Sequence, residues 1–341
     1  MSDGDPYAAG RALLTEMQRL PMPDAVDEKL ALDLGGARQV VAVRGTDASN
    51  PIIVFVHGGP ASTELPIAWT YQRPWEDFFT VAHWDQRGAG LSYPLNDPET
   101  LGPTLSLDRY RDDAIELIEW LCKRYEKRKV ILVGHSWGSA VGLAVAIKRP
   151  ELLYAYVGVA QVIDFLQNER EGYAWTLSEA TRTDNSDALA ELTAISPYPK
   201  DQALDLEKTR AERKWVRTFG GFAAYRNETG FHSHSFLLSP AHSLADGKAI
   251  GDGFAFTMPR VWPQLASISF SGVKHLEIPV LLFLGRHDRV SSPHIAEQWL
   301  AEIAAPVKET VWFEHSAHLP MFEEPGRFLA ALTGRVAPLT G

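Results

Sequence analysis

The residues in this chain best suited to chemistry begin with Ser136. It lies in the run KVILVGHSWGSAVGLAVA at 129–146, where Gly134, Ser136 and Gly138 spell G-x-S-x-G. The run is apolar and β-branched before the serine and rich in small residues after it, so a strand turns into a helix with Ser136 at the corner. Such an elbow pushes Oγ out above the end of a sheet, and its glycines are needed because side chains there would collide with the neighbouring strand and helix. A serine hydroxyl is a poor nucleophile at neutral pH; it needs an imidazole to accept its proton and a carboxylate to orient that imidazole. Downstream, VLLFLGRHDRV delivers Asp288 just past the carboxyl end of a strand, and ETVWFEHSAHLP delivers His315 and His318 just past the end of the next. The order Ser, Asp, His suits an elbow serine. The bland reading of Asp288 is a turn residue before Pro293; on the residues alone, His315 and His318 compete for one role.

Acyl transfer through Ser136 would also need donors for the oxyanion, and backbone N–H groups serve without rearrangement. The N–H of Trp137, directly after the serine, is one candidate. The loop His57-Gly58-Gly59-Pro60 supplies the other, Gly59 in preference to Gly58, because glycine lets a substrate oxygen approach the backbone. His57 itself reads as a structural hydrogen-bonder.

These residues must be held by strand ends. Leu13, Leu14, Met17 and Leu20 recur at helical spacing over 7–20, a short helix expected to pack on the core. Lys29–Leu34 and Gln39–Arg44 flank Gly35-Gly36 as a hairpin. Ile52–Val56 and Phe79–Trp84 are apolar runs of buried-strand type, ending in HGGP and in Asp85-Gln86-Arg87-Gly88. Leu105–Arg124 is a helix with one buried face, and Ala155–Ala160 a further strand. From 162 to 270 the alternation stops in favour of helical patterns with loops rich in Gly, Pro and His. It resumes with Pro279–Gly285, Pro293–Ala304, Glu309–Phe313 and Phe322–Leu332. Alternating elements predict an α/β protein with a mostly parallel sheet. The division is 1–161 and 271–341 for the core, with 162–270 inserted as a helical cap.

Composition bounds the function. A net charge of −10 argues against nucleic acid and anionic membrane as partners, since both reward basic surfaces. One cysteine, Cys122, excludes an intramolecular disulfide; on its helix it reads as a small buried hydrophobe. No window has the roughly 18–20 apolar residues of a membrane span, and the first residues carry no apolar signal segment, so the chain reads as cytoplasmic. Asp85 to Gly88 reads as a tight turn with an internal ion pair, and Glu207 to Lys214 as a solvated face. His232, His234 and His242 have no regular spacing that would hold zinc, so no metal is expected.

Taken together, HGGP at 57–60, WDQRGAGLS at 84–92, GHSWGS at 134–139, GRHD at 285–288 and the segment HSAHLPMFEEP resemble the α/β-hydrolase superfamily. Within it they resemble the proline iminopeptidase-like serine peptidases. The resemblance implies an eight-stranded sheet with a helical cap inserted after the sixth strand, no cofactor, and Ser136, Asp288 and His318 as triad. It is what selects His318 over His315. It also implies a small-molecule or short-peptide substrate, with N-terminal proline the family default.

The chain departs from the family's HGGPG and GGSWGS at Ala61 and His135, and its cap lacks the Trp-Glu pair that holds a substrate amino group. Glu169, Glu171, Glu179, Glu212 and Glu228 are candidate acids there. Trp175, Trp215, Glu169 and Glu212 are taken as substrate-binding candidates. An amide or aminopeptidase activity is thus the expectation, a carboxylesterase or lactonase with the same triad the alternative, and a non-catalytic binding protein the reading from another class.

Overall fold

A computed structural model describes residues 5–225 and 228–341, the side chains of 228–230 and 232 excepted. The hairpin opens an eight-stranded sheet. β1 (Val26–Leu34) and β2 (Ala37–Gly45) are antiparallel, joined by Gly35-Gly36 with φ of 56° and 72°. Both positions need positive φ for a two-residue turn that follows the strand twist, which explains the paired glycines. β3 (Ile52–Val56), β4 (Thr80–Trp84), β5 (Val130–His135), β6 (Leu153–Val159), β7 (Val280–Gly285) and β8 (Lys308–Phe313) complete the order β1-β2-β4-β3-β5-β6-β7-β8. All pairings from β4 through β8 are parallel.

Every residue of β3, β4, β5 and β7 is buried, as expected of strands covered on both faces. Alternate residues part between two cores. Val54, Val56 and Leu132 face one cluster, which holds helices Leu107–Arg124 and Trp137–Lys148; Ile53, Phe55 and Val133 face the other. In the second cluster Trp75 stacks on Phe328 with ring centroids 5.0 Å apart.

Among the described residues the α-helices of seven residues or more are α1 (Ala8–Met17), α2 (Leu107–Arg124), α3 (Trp137–Lys148), α4 (Phe165–Arg182), α5 (Ser186–Ala194), α6 (Leu206–Thr218), α7 (Glu228–Leu237), α8 (Leu244–Leu265), α9 (Pro293–Glu302) and α10 (Pro325–Ala331). α4 to α8 lie between β6 and β7, where the alternation stopped in the sequence. Their starts are fixed locally: Asp164, Asn185 and Asp205 accept backbone N–H groups at the N-termini of α4, α5 and α6. No helix among the described residues is long and apolar enough to cross a membrane.

Three local expectations need correction. α1 does not bury its apolar stripe: Leu13 is 63% and Met17 69% exposed, and the helix is tied down by polar contacts such as Arg11 to the carbonyl of Leu237. Cys122 is only half-buried, at the margin of the core. The loop after β4 has no internal ion pair. Arg87 reaches instead to Asp113 on α2, with Nε 2.8 Å from Oδ2 and Nη2 2.9 Å from Oδ1, and donates further to the carbonyls of Leu34 and Gly35. Asp85 accepts from the hydroxyl of Thr63 and the N–H of Leu91, and burial pushes its carboxyl up to about 6.

The sequence could not assign that partner because Asp113 is one of several acids on α2. Both ends of the pair are buried, so breaking it strands a charge in the interior. Asp113→Ala is expected to cost about 3–5 kcal/mol in urea unfolding. A double replacement, Arg87→Met with Asp113→Leu, should recover most of that loss; an unchanged midpoint in Asp113→Ala would remove the pair from the stability account.

Candidate active site

Ser136 sits where β5 ends and α3 begins, with φ 53° and ψ −119° and its N–H donating to the carbonyl of Val159 at 3.0 Å. A non-glycine residue at positive φ is strained, and such strain persists only where the surroundings over-determine it. They do here. A Cβ at Gly134 would lie 2.3 Å from the carbonyl oxygen of Gly138, and one at Gly138 would lie 2.0 Å from that of Val56. The glycines therefore let strand and helix close on the corner, leaving Ser136 partly exposed on the floor of a cavity of about 700 Å³.

His318 is on the same floor, buried. Its Nδ1 donates to Oδ2 of Asp288 at 2.9 Å, which leaves Nε2 as the nitrogen able to accept a proton. The other oxygen of Asp288 accepts the N–H groups of Val290 and Ser291 at 2.8 and 3.0 Å, which holds the carboxylate in place. Burial lowers His318 below the usual histidine value; Asp288 opposes this, while His135 and Arg213 push the same way. Glu323 braces the backbone on either side of His318 by accepting from Ala317 and Leu319. His315 is exposed, away from the cavity floor.

The glycine loop lies directly against the serine. A Cβ at Gly58 would stand 3.1 Å from Cβ of Ser136, and Gly59 has φ 115° before a cis bond to Pro60. Both glycines line the cavity. Trp137 opens α3, so its N–H belongs to the helix-start donors that have no partner within the helix, at the positive end of the dipole. Its indole is buried and donates to Oε1 of Gln86 at 3.0 Å. Gln86 in turn donates from its side chain to the carbonyl of His57 at 2.8 Å, and from its backbone to Nε2 of His57. His57 completes the brace with Nδ1 donating to the Gly58 carbonyl, and burial takes it down to about 4, so it is neutral. The sequence passed over Gln86 and Glu323, whose partners are distant or main-chain and leave no motif.

Part of the cavity wall comes from the helices between β6 and β7, which contribute the apolar side chains of Phe165, Phe254, Met258 and Trp262. Of the four residues taken as substrate-binding candidates, only Glu169 lines the cavity. Trp215 is buried in a small cluster behind it, stacked on Phe219 and donating to Glu191. Trp175 packs edge-on against Phe219 and under Arg289. Glu212 is fully buried and shares Arg213 with Glu169; Thr176 also donates to Glu212, and Tyr198 to Glu169 at 2.5 Å. The run 207–214 is therefore not wholly a solvated face, because Arg213 and Glu212 turn inward from α6.

Of the remaining candidates, Glu171 is exposed, Glu179 pairs with Arg182, and Glu228 and His232 have side chains outside the described residues. His234 is exposed, and buried His242 has no ring partner among the described residues. No group of three or more His, Cys, Asp or Glu among the described residues could hold a metal.

Comparison with known proteins places this geometry. A family model described as the alpha/beta hydrolase fold matches residues 51–325. The chain is 30% identical over 305 residues to a protein named Probable aminopeptidase YbaC from Bacillus subtilis (strain 168), covering 89% of this chain and 94% of that one. A proline iminopeptidase of Clostridioides difficile (strain 630) is 25% identical over 295 residues, covering 84% and 90%. The crystal structure of a proline iminopeptidase from Mycobacterium smegmatis superposes with a TM-score of 0.67 at 18% identity, covering 92% of this chain and 99% of that one. With a matching family model over most of its length and a relative aligned almost end to end, this chain belongs to the alpha/beta hydrolase fold family.

Proposed function

We propose that the protein is a serine hydrolase working by two-step acyl transfer, with the aminopeptidase-like cleavage of small amides as its first substrate class. The observation that carries the reading is the 2.9 Å contact between His318 Nδ1 and Asp288 on the cavity floor that also holds the strained Ser136. His318 takes the proton of Ser136 as Oγ attacks the substrate carbonyl, and Asp288 keeps Nε2 as the accepting nitrogen while stabilising the imidazolium. The oxyanion forms against the N–H of Trp137 and that of Gly59, or of Gly58 beside it. His318 then protonates the leaving group, and water, activated by the same imidazole, releases the acyl group. No cofactor is required for these steps. The helices between β6 and β7 act as a cap over the cavity, and the substrate is a small molecule or short peptide.

The aminopeptidase class is supported by the relative named a probable aminopeptidase, which this chain spans almost entirely. The second reading, a carboxylesterase or lactonase, is favoured by one observation: Glu169 and Glu212, the cap acids taken as substrate-binding candidates, are both committed to Arg213.

A fluorophosphonate probe should label the wild type and not Ser136→Ala; an unlabelled wild type would sink the catalytic reading. Ser136→Ala should lose at least about a thousandfold in kcat while binding substrate normally. For substrate class, prolyl and alanyl arylamides, an N-blocked prolyl arylamide and short acyl esters would be compared side by side. Preference for a free amino terminus is expected, and preference for esters would move the assignment to the second reading. Because only neutral His318 can accept the serine proton, activity is lost as pH falls through its pKa. Burial has lowered that value, so the acid limb of kcat/KM is expected below pH 6.5. A limb midpoint above 6.5 would contradict the direction of the shift.

A further inference from the structure

His135, directly before the serine, is a departure from the family pattern that the acyl-transfer steps leave without a role. It is buried, with acceptors at both ring nitrogens: Oε1 of Glu64 lies 2.6 Å from Nδ1, and the main-chain carbonyl of His318 lies 2.9 Å from Nε2. A carbonyl oxygen can only accept, so Nε2 carries a proton. The contact at Nδ1 is with Glu64, whose other oxygen accepts from Tyr71 at 3.3 Å and whose carboxyl, against its burial, is held below the usual range by His135. Both ring nitrogens therefore donate. The His135 and His318 rings are 5.0 Å apart.

We propose that His135 is a positioning residue for the reaction, an imidazolium held by Glu64 that fixes the backbone of His318 and keeps its ring in the neutral, proton-accepting form. The inference rests on the reading of His318 as the base. The backbone at His318 is held at two points, its N–H donating to the carbonyl of Phe222 at 3.0 Å and its carbonyl accepting from His135. Asp288 holds the ring as a third. The positive charge at His135 disfavours a second one on His318, partly offsetting the pull of Asp288. The charged groups facing His135 are Glu64 from the loop after β3, Asp288 from the loop after β7 and His318 from the loop after β8; those facing His318 are Asp288, His135 and Arg213 from α6. Burial works against a charged His135, yet the Glu64 carboxylate outweighs it and holds His135 above the usual histidine value; Glu64, which burial alone would raise, is lowered by the same partner. His57 and His83, both pushed down to about 4 by burial, add no charge. Glu64 itself is at the cavity wall, seven residues beyond His57.

The test uses the full chain with ¹⁵N-labelled histidine and two variants, Glu64→Gln and His135→Gln. At pH 8 the wild type should show one imidazolium with both ring N–H groups present, absent in His135→Gln and converted to a neutral tautomer in Glu64→Gln. In both variants the acid limb of kcat/KM should move up by about one pH unit, and kcat should fall about tenfold with KM within twofold. A neutral His135 tautomer in the wild type at pH 8 overturns the proposal, and so do folded variants with wild-type kcat and pH profile. The ring spectrum of the wild type decides even if a variant fails to fold. It is also independent of the catalytic reading: absent fluorophosphonate labelling together with a His135 imidazolium would break the assignment of Ser136, not the charge on His135.

Discussion

The closeness of α3 to the sheet is the constraint on which the rest of the site depends. Gly138 sits so near the carbonyl of Val56 that a single added carbon would be 2.0 Å from it, and one added at Gly134 would be 2.3 Å from the carbonyl of Gly138. That contact forces the chain to turn within one residue and places Ser136 at positive φ, a strain of roughly 1–3 kcal/mol. The helix that follows offsets it: every residue from Trp137 to Ala146 is buried. Bulk at either glycine would lift α3 from β3, and with it the start of the helix that follows Ser136.

Around this corner the loops are fixed by polar groups placed in the interior. Irregular loops lack the hydrogen-bond ladder of strands, so their backbone groups must find other partners. Gln86 and His57 brace the glycine loop to the start of α3, Arg87 and Asp113 anchor the loop after β4, and Glu323 clamps the turn that carries His318. Buried ion pairs add little net stability, because desolvation consumes most of their attraction. Their effect here is positional, since each charge has one geometry in which all its hydrogen bonds are met.

What the sequence revealed and what it concealed divide along one physical line. β3, β5 and β7 were legible because an unbroken β-branched run has few other fates, and the elbow and the strand-end Asp288 followed from them. The turn at Gly35-Gly36 was legible for an equally local reason. The partner of Arg87 was not, because it lies on another element and any acid of α2 would have satisfied the pattern. α1 misled because helical spacing of Leu13 and Met17 describes a stripe without saying that anything covers it. Trp175 and Trp215 misled in the same way: an aromatic in an inserted helix can face the cavity or the helix behind it, and composition is silent on which. His315 and His318 were separable only by resemblance, whereas the structure separates them by burial and by Asp288.

On the proposed reading, floor and wall of the cavity have different tasks. The floor sets the chemistry, and its geometry would serve an amide or an ester alike, since both present a carbonyl to Ser136. The wall must then discriminate, and its charges are already engaged with one another. Two carboxylates share the single guanidinium of Arg213, and burial raises Glu212 toward its neutral form. As Glu212 takes up a proton, the cluster loses its residual negative charge and with it the attraction for an ammonium group. Among the described residues two carboxylates line the cavity, and a substrate amine must compete for Glu64 against His135 and Tyr71, or for Glu169 against Arg213 and the hydroxyl of Tyr198. Shape and apolar contact with Phe165, Phe254, Met258 and Trp262 face no such competition. The wall is thus built to select first on the apolar part of a substrate and only second on its charge.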